Sequence, residues 1–420
     1  MRRILSSAIL FLVALAGTSA QQAGYEVVVS STSEGRWVPS SGALSATQGF
    51  RGSFGGTSFI GERALFRVLG FAEYSPAPDS FLEGSYLFDL EQLYLDLEQD
   101  GVFSGRAVYR FGRYSFSDRS RRIVVHPADG FRMRGDFGSA VFRLDAAYTG
   151  LVLRPSSRIA LTESDAELLS LSDDEGAVFG PGRLLTRTGY GLRAASGVES
   201  GVEITTQWDL PNVASPESID GSSRYHSAYL NVYTERPLGD RYVLNASTVL
   251  GAGLTLPRPG FSSIDLSLLL QALLEYYPGD RNRNVLTLGL VSASSEAVGL
   301  RDFRPVTPLI LGRVESVSAA GHAQVSTSWS TRPFLTGPFS GFQVILDSRG
   351  IFRLNATQES ELADSDTGSL YLGFDSGLSV RYRPVSDLSL SAAAFAFVPG
   401  AESSVESAVM SGRVQVAMTF

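Results

Sequence analysis

The strongest constraint on this chain is a period of two. Leu93-Tyr94-Leu95-Asp96-Leu97-Glu98 sets its leucines on one side and a tyrosine and two carboxylates on the other. Successive side chains of a strand point to opposite faces, so this alternation describes a strand with one apolar and one polar side. Phe142-Arg143-Leu144-Asp145-Ala146, Val202-Glu203-Ile204-Thr205 and Leu286-Thr287-Leu288-Gly289-Leu290 repeat it. The pattern predicts strands near 25–31, 43–55, 60–74, 87–98, 103–114, 130–136, 139–151, 183–194, 200–208, 224–234, 240–251, 263–277, 284–294, 318–331, 342–353, 368–382, 387–397 and 407–420, which makes 18. Without the first and one other the number is 16.

The links between these segments alternate in length. Gln99-Asp100-Gly101, Phe137-Gly138, Ser196-Gly197-Val198-Glu199, Pro237-Leu238-Gly239 and Pro384-Val385-Ser386 are short; 115–129, 152–182, 209–223, 252–262, 295–317, 354–367 and 398–406 are long. Short turns on one rim and long loops on the other mark a bacterial outer-membrane barrel, with the short turns and both termini in the periplasm.

The polar faces carry charge. Arg63 and Arg67 share a face, as do Arg106 and Arg110, Arg132 and Arg134, and Arg183, Arg187 and Arg193. An arginine on the lipid side near the bilayer midplane costs roughly 2–4 kcal/mol. Several such costs would rival the roughly 5–15 kcal/mol net stability of an ordinary domain. The arginines are therefore expected in the lumen or at the rims. Closure follows because an open sheet edge in hydrocarbon leaves backbone groups unpaired. The expected fold is all-β: a transmembrane, antiparallel, up-and-down barrel of about 18 strands, wide enough for an aqueous channel.

The N-terminus fits export. Met1-Arg2-Arg3 is a short positive region, Ile4–Gly17 is apolar, and Thr18-Ser19-Ala20 offers small residues for cleavage. Residues 1–20 read as a signal peptide and 21–420 as one barrel domain. After residue 21 no stretch is long and apolar enough for a spanning helix, which needs about 20 residues. All 35 basic residues are arginines, and the formal charge is −8. The acidic balance argues against nucleic acid as a partner. Cysteine is absent, which excludes disulfides and thiolate metal sites.

At the C-terminus Val414, Val416, Met418 and Phe420 share one face. The chain here resembles outer-membrane barrel proteins, whose last strand ends on an aromatic residue. The resemblance implies recognition of Phe420 by the barrel-assembly machinery. A second, local resemblance joins Phe111-Gly112-Arg113-Tyr114-Ser115-Phe116-Ser117-Asp118, His126-Pro127-Ala128-Asp129-Gly130 and Ala147-Tyr148-Thr149-Gly150-Leu151 to uncharacterised barrel proteins of spirochaetes. It implies a barrel and no activity.

The expected pore-lining and selectivity residues are Arg63, Arg67, Arg106, Arg110, Arg132, Arg134, Arg143 and Arg187, with Asp96 and Glu98 beside them. Later strands offer Glu203, Asp265, Gln271, Glu275, Asp347 and Asp375, so a transverse field is one reading and salt-bridged packing of the wall the other. The 152–182 link resembles the inward-folded constriction loop of general porins in length and charge, with Asp165, Glu167, Asp173, Asp174 and Glu175 as constriction candidates. Ser164-Asp165-Ala166-Glu167 is a capping-box pattern for a short helix in it. Tyr225, Tyr229 and Tyr233 share a parity and suit an interfacial girdle, or a stacking track in the pore.

Nothing points to an enzyme. His126, His226 and His322 have no zinc spacing. His226 and Ser227 point to opposite faces, and His322 and Ser326 lie about 13 Å apart along a strand. No cofactor or metal is called for. The expectation is an outer-membrane, porin-like channel for passive or selective diffusion of small hydrophilic solutes, anions among them. Its surroundings would be outer-membrane lipid, and an oligomer is compatible with it. The alternatives are a surface-exposed structural or adhesive barrel with a plugged lumen, and a hydrophobic-substrate transporter, which would want an N-terminal plug.

Overall fold

The computed structural model describes residues 23–77, 80–102, 105–162, 165, 179–210, 224–256, 264–279, 282–296, 300–355, 362, 369–401, 403–405 and 407–420. The expected signal peptide lies outside them. So do Ser164, Glu167, Asp173, Asp174 and Glu175.

The alternating segments become β1 (Ala23–Val38), β2 (Ala43–Ile60), β3 (Ala64–Ala77), β4 (Ser80–Val102), β5 (Gly105–Ser117), β6 (Val125–Phe137), β7 (Ala140–Tyr148), β8 (Arg183–Arg193), β9 (Glu199–Asp209), β10 (Arg224–Leu238), β11 (Tyr242–Leu256), β12 (Ile264–Tyr276) and β13 (Val285–Ala293). After β14 (Ile310–Leu311) and β15 (Val317–Ser318), which pair only with each other, come β16 (His322–Thr331), β17 (Phe342–Arg353), β18 (Tyr371–Val385), β19 (Leu388–Pro399) and β20 (Val409–Thr419). All but the small hairpin form one 18-stranded sheet. Every wall strand pairs antiparallel with its neighbours in sequence.

β1 and β20 close the sheet. They pair from Val28 opposite Thr419 to Trp37 opposite Met410. Val27 and Phe420 exchange backbone bonds of 3.2 and 2.8 Å beyond that ladder. Each expected strand is present, the first included, so the number is 18 and not 16. The alternation of link lengths is looser than expected. The rim opposite the termini also has tight links, at 39–42 and between Ala77 and Ser80, while the terminal rim carries a long one, Arg332–Gly341.

Which face looks inward follows from the pairing. On β12 and β11, Leu269 and Val249 stand opposite one another and are buried, while Leu250, Leu266 and Leu270 are exposed. On β9, Glu203, Thr205, Gln207 and Asp209 are buried and Val202, Ile204 and Trp208 exposed. The exposed set is large and apolar around the ring; the buried set mixes apolar residues with many polar and charged ones. A soluble sandwich would show the reverse, so the outer wall is built for hydrocarbon. Among the described residues no helix is long and apolar enough to cross a membrane; the crossing is done by strands.

Candidate functional site: the lumen and its inward loops

The inner wall carries a row of charge. Asp96 on β4, Arg110 on β5, Arg132 on β6, Asp145 on β7 and Arg187 on β8 stand directly opposite their neighbours, one after another. Arg110 grips Asp96 with two bonds of 2.7 Å each. Such a fork-to-fork pair fixes direction as well as charge. Asp145, 0% exposed, accepts from Arg132 on one side and from Arg187 on the other, at 2.8 Å from Nε and 2.6 Å from Nη2. Aromatic rings lie beneath the guanidiniums: Tyr94 3.8 Å from Arg110, Tyr114 4.4 Å from Arg132 and Phe116 5.5 Å from Arg187. Stacking of this kind suits the flat guanidinium and adds a further attraction to the negative ring face.

Next to this row the charges are less balanced. Arg134 and Arg143 face each other across β6 and β7. Arg134 has Asp136 at 3.4 Å. Arg143 makes no ion pair among the described residues; its other neighbour across the ladder is Gly189. Arg67 also makes none and lies between Thr57 and Tyr94. Nearer the terminal rim, Arg106 pairs with Glu98, Arg63 with Asp100 at 3.4 Å, and Arg193 with Asp136 and Glu199 at 3.1 Å each. The arginine-rich wall is thus threaded with its own carboxylates. On the later strands Asp265 pairs with Arg301 at 3.3 Å and Asp347 with Arg313 at 2.9 Å.

Three loops from the rim opposite the termini fold into the lumen. In the first, Asp118 accepts from the Ile123 and Val124 amides at 3.0 and 2.9 Å and ties the loop into a knot. That presents Arg119 to Glu199 at 3.2 Å and Glu235 at 3.1 Å, over the ring of Tyr233. The Arg119 amide donates to Glu203 at 2.8 Å. Arg122 donates to Gln271 on β12 at 3.3 Å. Burial pulls the Arg122 guanidinium below its ordinary value, and Asp118 opposes that.

The second loop is the 149–182 link. Its Asp165 is 8% exposed and bound to Arg183, which also holds Asp209 at 2.7 Å. Asp165 therefore pins the loop root to the wall; it is not an acid at an open constriction, as expected from the sequence. The Asp165 carboxylate also accepts from the Thr162 amide at 2.7 Å, and its own amide donates to the Thr162 hydroxyl at 3.4 Å. These are the reciprocal bonds of a capping box, made two residues earlier than the Ser164 pattern.

The third loop, between β13 and β16, crosses the lumen. It is rooted on β10, where the Tyr229 hydroxyl donates to the Arg304 carbonyl and Phe303 packs edge-on against the ring at 5.9 Å. It reaches β17 and β18 through Arg313, whose amide donates to Asp375 at 2.6 Å and whose guanidinium donates to Asp347 at 2.9 Å. It ends its crossing at β1, where Glu315 pairs with Arg36. The loops also bond to each other: Ala160 N–H to the Val306 carbonyl at 2.9 Å, and Thr307 N–H to the Ile123 carbonyl at 3.1 Å. Ile123, Val124, Ile159, Phe303, Val306 and Leu311 share one apolar cluster with wall residues Tyr114, Tyr229, Val249 and Leu269.

Tyr225, Tyr229 and Tyr233 therefore do not form a girdle. They face inward, and Tyr229 is 2% exposed. A cavity of about 620 Å³ opens between the second and third loops, with Tyr225, Gln207, Asp302 and Arg304 on its walls. Another, of about 480 Å³, lies across the lumen against β1 and β20, with Glu34, Arg36, Arg313 and Arg413. Sequence reasoning missed Arg36, Arg119, Arg122 and Arg313. For the loop pair the available signal was Ile123-Val124-Val125, an apolar run directly after a cluster of arginines in a link.

No family model matches the chain, and no curated protein matches it significantly. Solved structures do. The Pseudomonas aeruginosa protein OccK2 (OpdF) in complex with glucuronate aligns over 96% of this chain and 98% of its own, at TM-score 0.61 and 12% identity. OccK11 (OpdR) of the same organism covers 96% of each chain at TM-score 0.60 and 13% identity. The outer membrane protein opdK, also from Pseudomonas aeruginosa, covers 96% and 99% at TM-score 0.59 and 12% identity. At such identities the likeness is one of fold.

Proposed function

We propose that the chain is an outer-membrane channel for small hydrophilic solutes, with a preference for anions set by the inner arginine wall. The observation that carries this reading is the row from Asp96 to Arg187 with Arg67 and Arg143 beside it. The row fixes guanidiniums on a rigid strand scaffold, and the two flanking arginines, Arg67 and Arg143, make no ion pair among the described residues. A guanidinium suits a carboxylate or phosphate by geometry. One structural neighbour holds glucuronate, a sugar acid, and this chain is expected to favour solutes of that kind. Arg2 and Arg3 with the apolar run to Gly17 serve export, the terminal rim faces the periplasm, and Phe420 serves recognition during assembly.

The inward loops support a second reading, a structural or adhesive barrel with a plugged lumen, since their apolar cluster occupies one side of the barrel. Conductance separates the two. Refolded protein in a planar bilayer is expected to give discrete ohmic steps and an anion-favouring reversal potential in a salt gradient, reduced when Arg106 and Arg110 are neutralised together. Silence from protein shown to be folded and inserted would sink the channel.

A further inference from the structure

The link Arg332–Gly341 differs from the other connections on the terminal rim. Between Pro333 and Gly341 it has no charged residue, and it holds Phe334, Leu335 and Phe339 exposed at 46%, 46% and 52%. Three such apolar side chains at a rim would ordinarily be a cost in water. Their position shows where they point. Phe334 packs 5.7 Å from Phe339 and 5.8 Å from Phe342, and Phe339 packs 5.7 Å from Tyr382. Phe342 and Tyr382 are paired across β17 and β18. They share the parity of exposed Leu346 and Leu378 and stand opposite in parity to inward Asp347. The link thus folds onto the outside of the wall.

It is also held rigid. Gly337 has φ +80°, a turn that only glycine enters cheaply. Ser340 N–H donates to the Gly337 carbonyl at 3.1 Å, Phe342 N–H to the Phe339 carbonyl at 2.9 Å, and the Tyr382 hydroxyl to the Pro338 carbonyl at 3.1 Å. Exposed Arg332 and Arg383 flank the apolar residues. On the same rim and outer face, Tyr242 and Tyr276 stack at 4.7 Å at the ends of β11 and β12. The link therefore continues an aromatic belt.

We infer that Arg332–Gly341 is a membrane anchor that seats Phe334, Leu335 and Phe339 in the lipid leaflet on the terminal side. Aromatic rings partition to the interface between hydrocarbon and headgroups, and flanking arginines suit lipid phosphates. The occupant is phospholipid because the patch is continuous with the lipid-facing wall and its flanks match a phosphate plane. This rests on the membrane-embedded part of the proposed function and not on conduction.

The chain has no cysteine, so a single one reports one site. Phe339→Cys and, separately, Leu335→Cys are spin-labelled in the full chain inserted into phosphatidylglycerol–phosphatidylethanolamine vesicles. Leu266→Cys on the outer wall and Ser386→Cys in a tight turn of the terminal rim serve as references. Accessibility to oxygen and to a water-soluble nickel chelate is read at each. The anchor predicts that both link labels shift to the oxygen-favoured ratio of the wall label. A nickel-favoured ratio like that of Ser386→Cys places the link in water and overturns the inference. Protection from both reagents means a protein covers the patch, a second copy or another chain, and overturns it too. A nickel-favoured ratio at Leu266→Cys would instead count against the membrane barrel itself.

Discussion

Glu315 pairs with Arg36, although Glu315 sits in a loop rooted on β10 and Arg36 stands on β1, half-way round the 18-stranded ring. This contact and the Arg313 bonds to Asp347 and Asp375 are the far moorings of the loop that crosses the lumen. The Arg36 end is half exposed, so screening leaves the pair only a small share in stability. Its weight falls on the loop's position. Glu315→Gln is expected to leave the unfolding midpoint unchanged within error. Single-channel records should then show more frequent substates and a larger mean conductance. A trace identical to the parent would mean that Arg313 alone holds the loop.

Asp145 is the hub of the charged row. Its carboxylate is buried between Arg132 and Arg187, and Arg187 is itself nearly buried. Removing one member of a buried ionic set strands the others, at a cost of about 3–5 kcal/mol. Asp145→Ala is expected to lose that much in urea unfolding from lipid vesicles. A loss no larger than for a surface pair would mean that water reaches both guanidiniums and that the row is open to the lumen along its whole length.

Gly112 meets the row from the backbone side. Its φ is +117°, and a Cβ there would fall inside contact distance of the Leu93 carbonyl oxygen. Tyr94 is its partner across the ladder and carries Arg110 above its ring. Gly112→Ala combines a strained backbone, worth about 1–3 kcal/mol, with displacement of β4. The yield of folded barrel, followed by its faster migration in unheated gels, is expected to drop well below that of Gly24→Ala, where a Cβ meets nothing within 4 Å. Equal yields would mean that Gly112 has no part in holding β4 and β5 together.

The wall was legible in the sequence and the lumen was not. A period of two sets which residues share a face, and closure in lipid then decides the rest, so that all the strands could be placed. β4 begins at Ser80 and not near 87, and the 115–129 link shrinks to seven residues because β5 runs to Ser117 and β6 starts at Val125. The proline-bearing stretch His126-Pro127-Ala128-Asp129 looks like loop but pairs as strand because β5 supplies the ladder, whereas Asp118–Arg122 stays a loop. Periodicity shows that Tyr225, Tyr229 and Tyr233 share a side without saying which, and that side is settled by Phe303 and Arg304, some seventy residues on. Contacts such as Arg119 with Glu235, or Glu315 with Arg36, join distant parts of the chain and leave no local pattern.

Arg110 and Arg143 allow structure and selectivity to be told apart. Arg110 is tied to Asp96 by two bonds and stacked on Tyr94. Arg143 has Arg134 across the ladder and no ion pair among the described residues. Neutralising Arg110 leaves Asp96 uncompensated on the wall, so Arg110→Gln should weaken the barrel as well as its anion preference. Neutralising Arg143 removes a like-charge neighbour of Arg134, so Arg143→Gln should leave stability equal or slightly raised while moving the reversal potential toward zero. The field of exposed luminal charge is screened over about 8–10 Å at 0.1–0.15 M salt. The shift should therefore be largest in dilute electrolyte and fade near 1 M, where the screening length falls to about 3 Å. If Arg143→Gln unfolds the protein as readily as Arg110→Gln, the side chain is a packing element and the wall around it holds no free charge. If its reversal potential equals the parent's at every salt concentration, solutes pass elsewhere in the lumen, and the cavity against β1 and β20, with Arg36 and Arg413, becomes the wall to test.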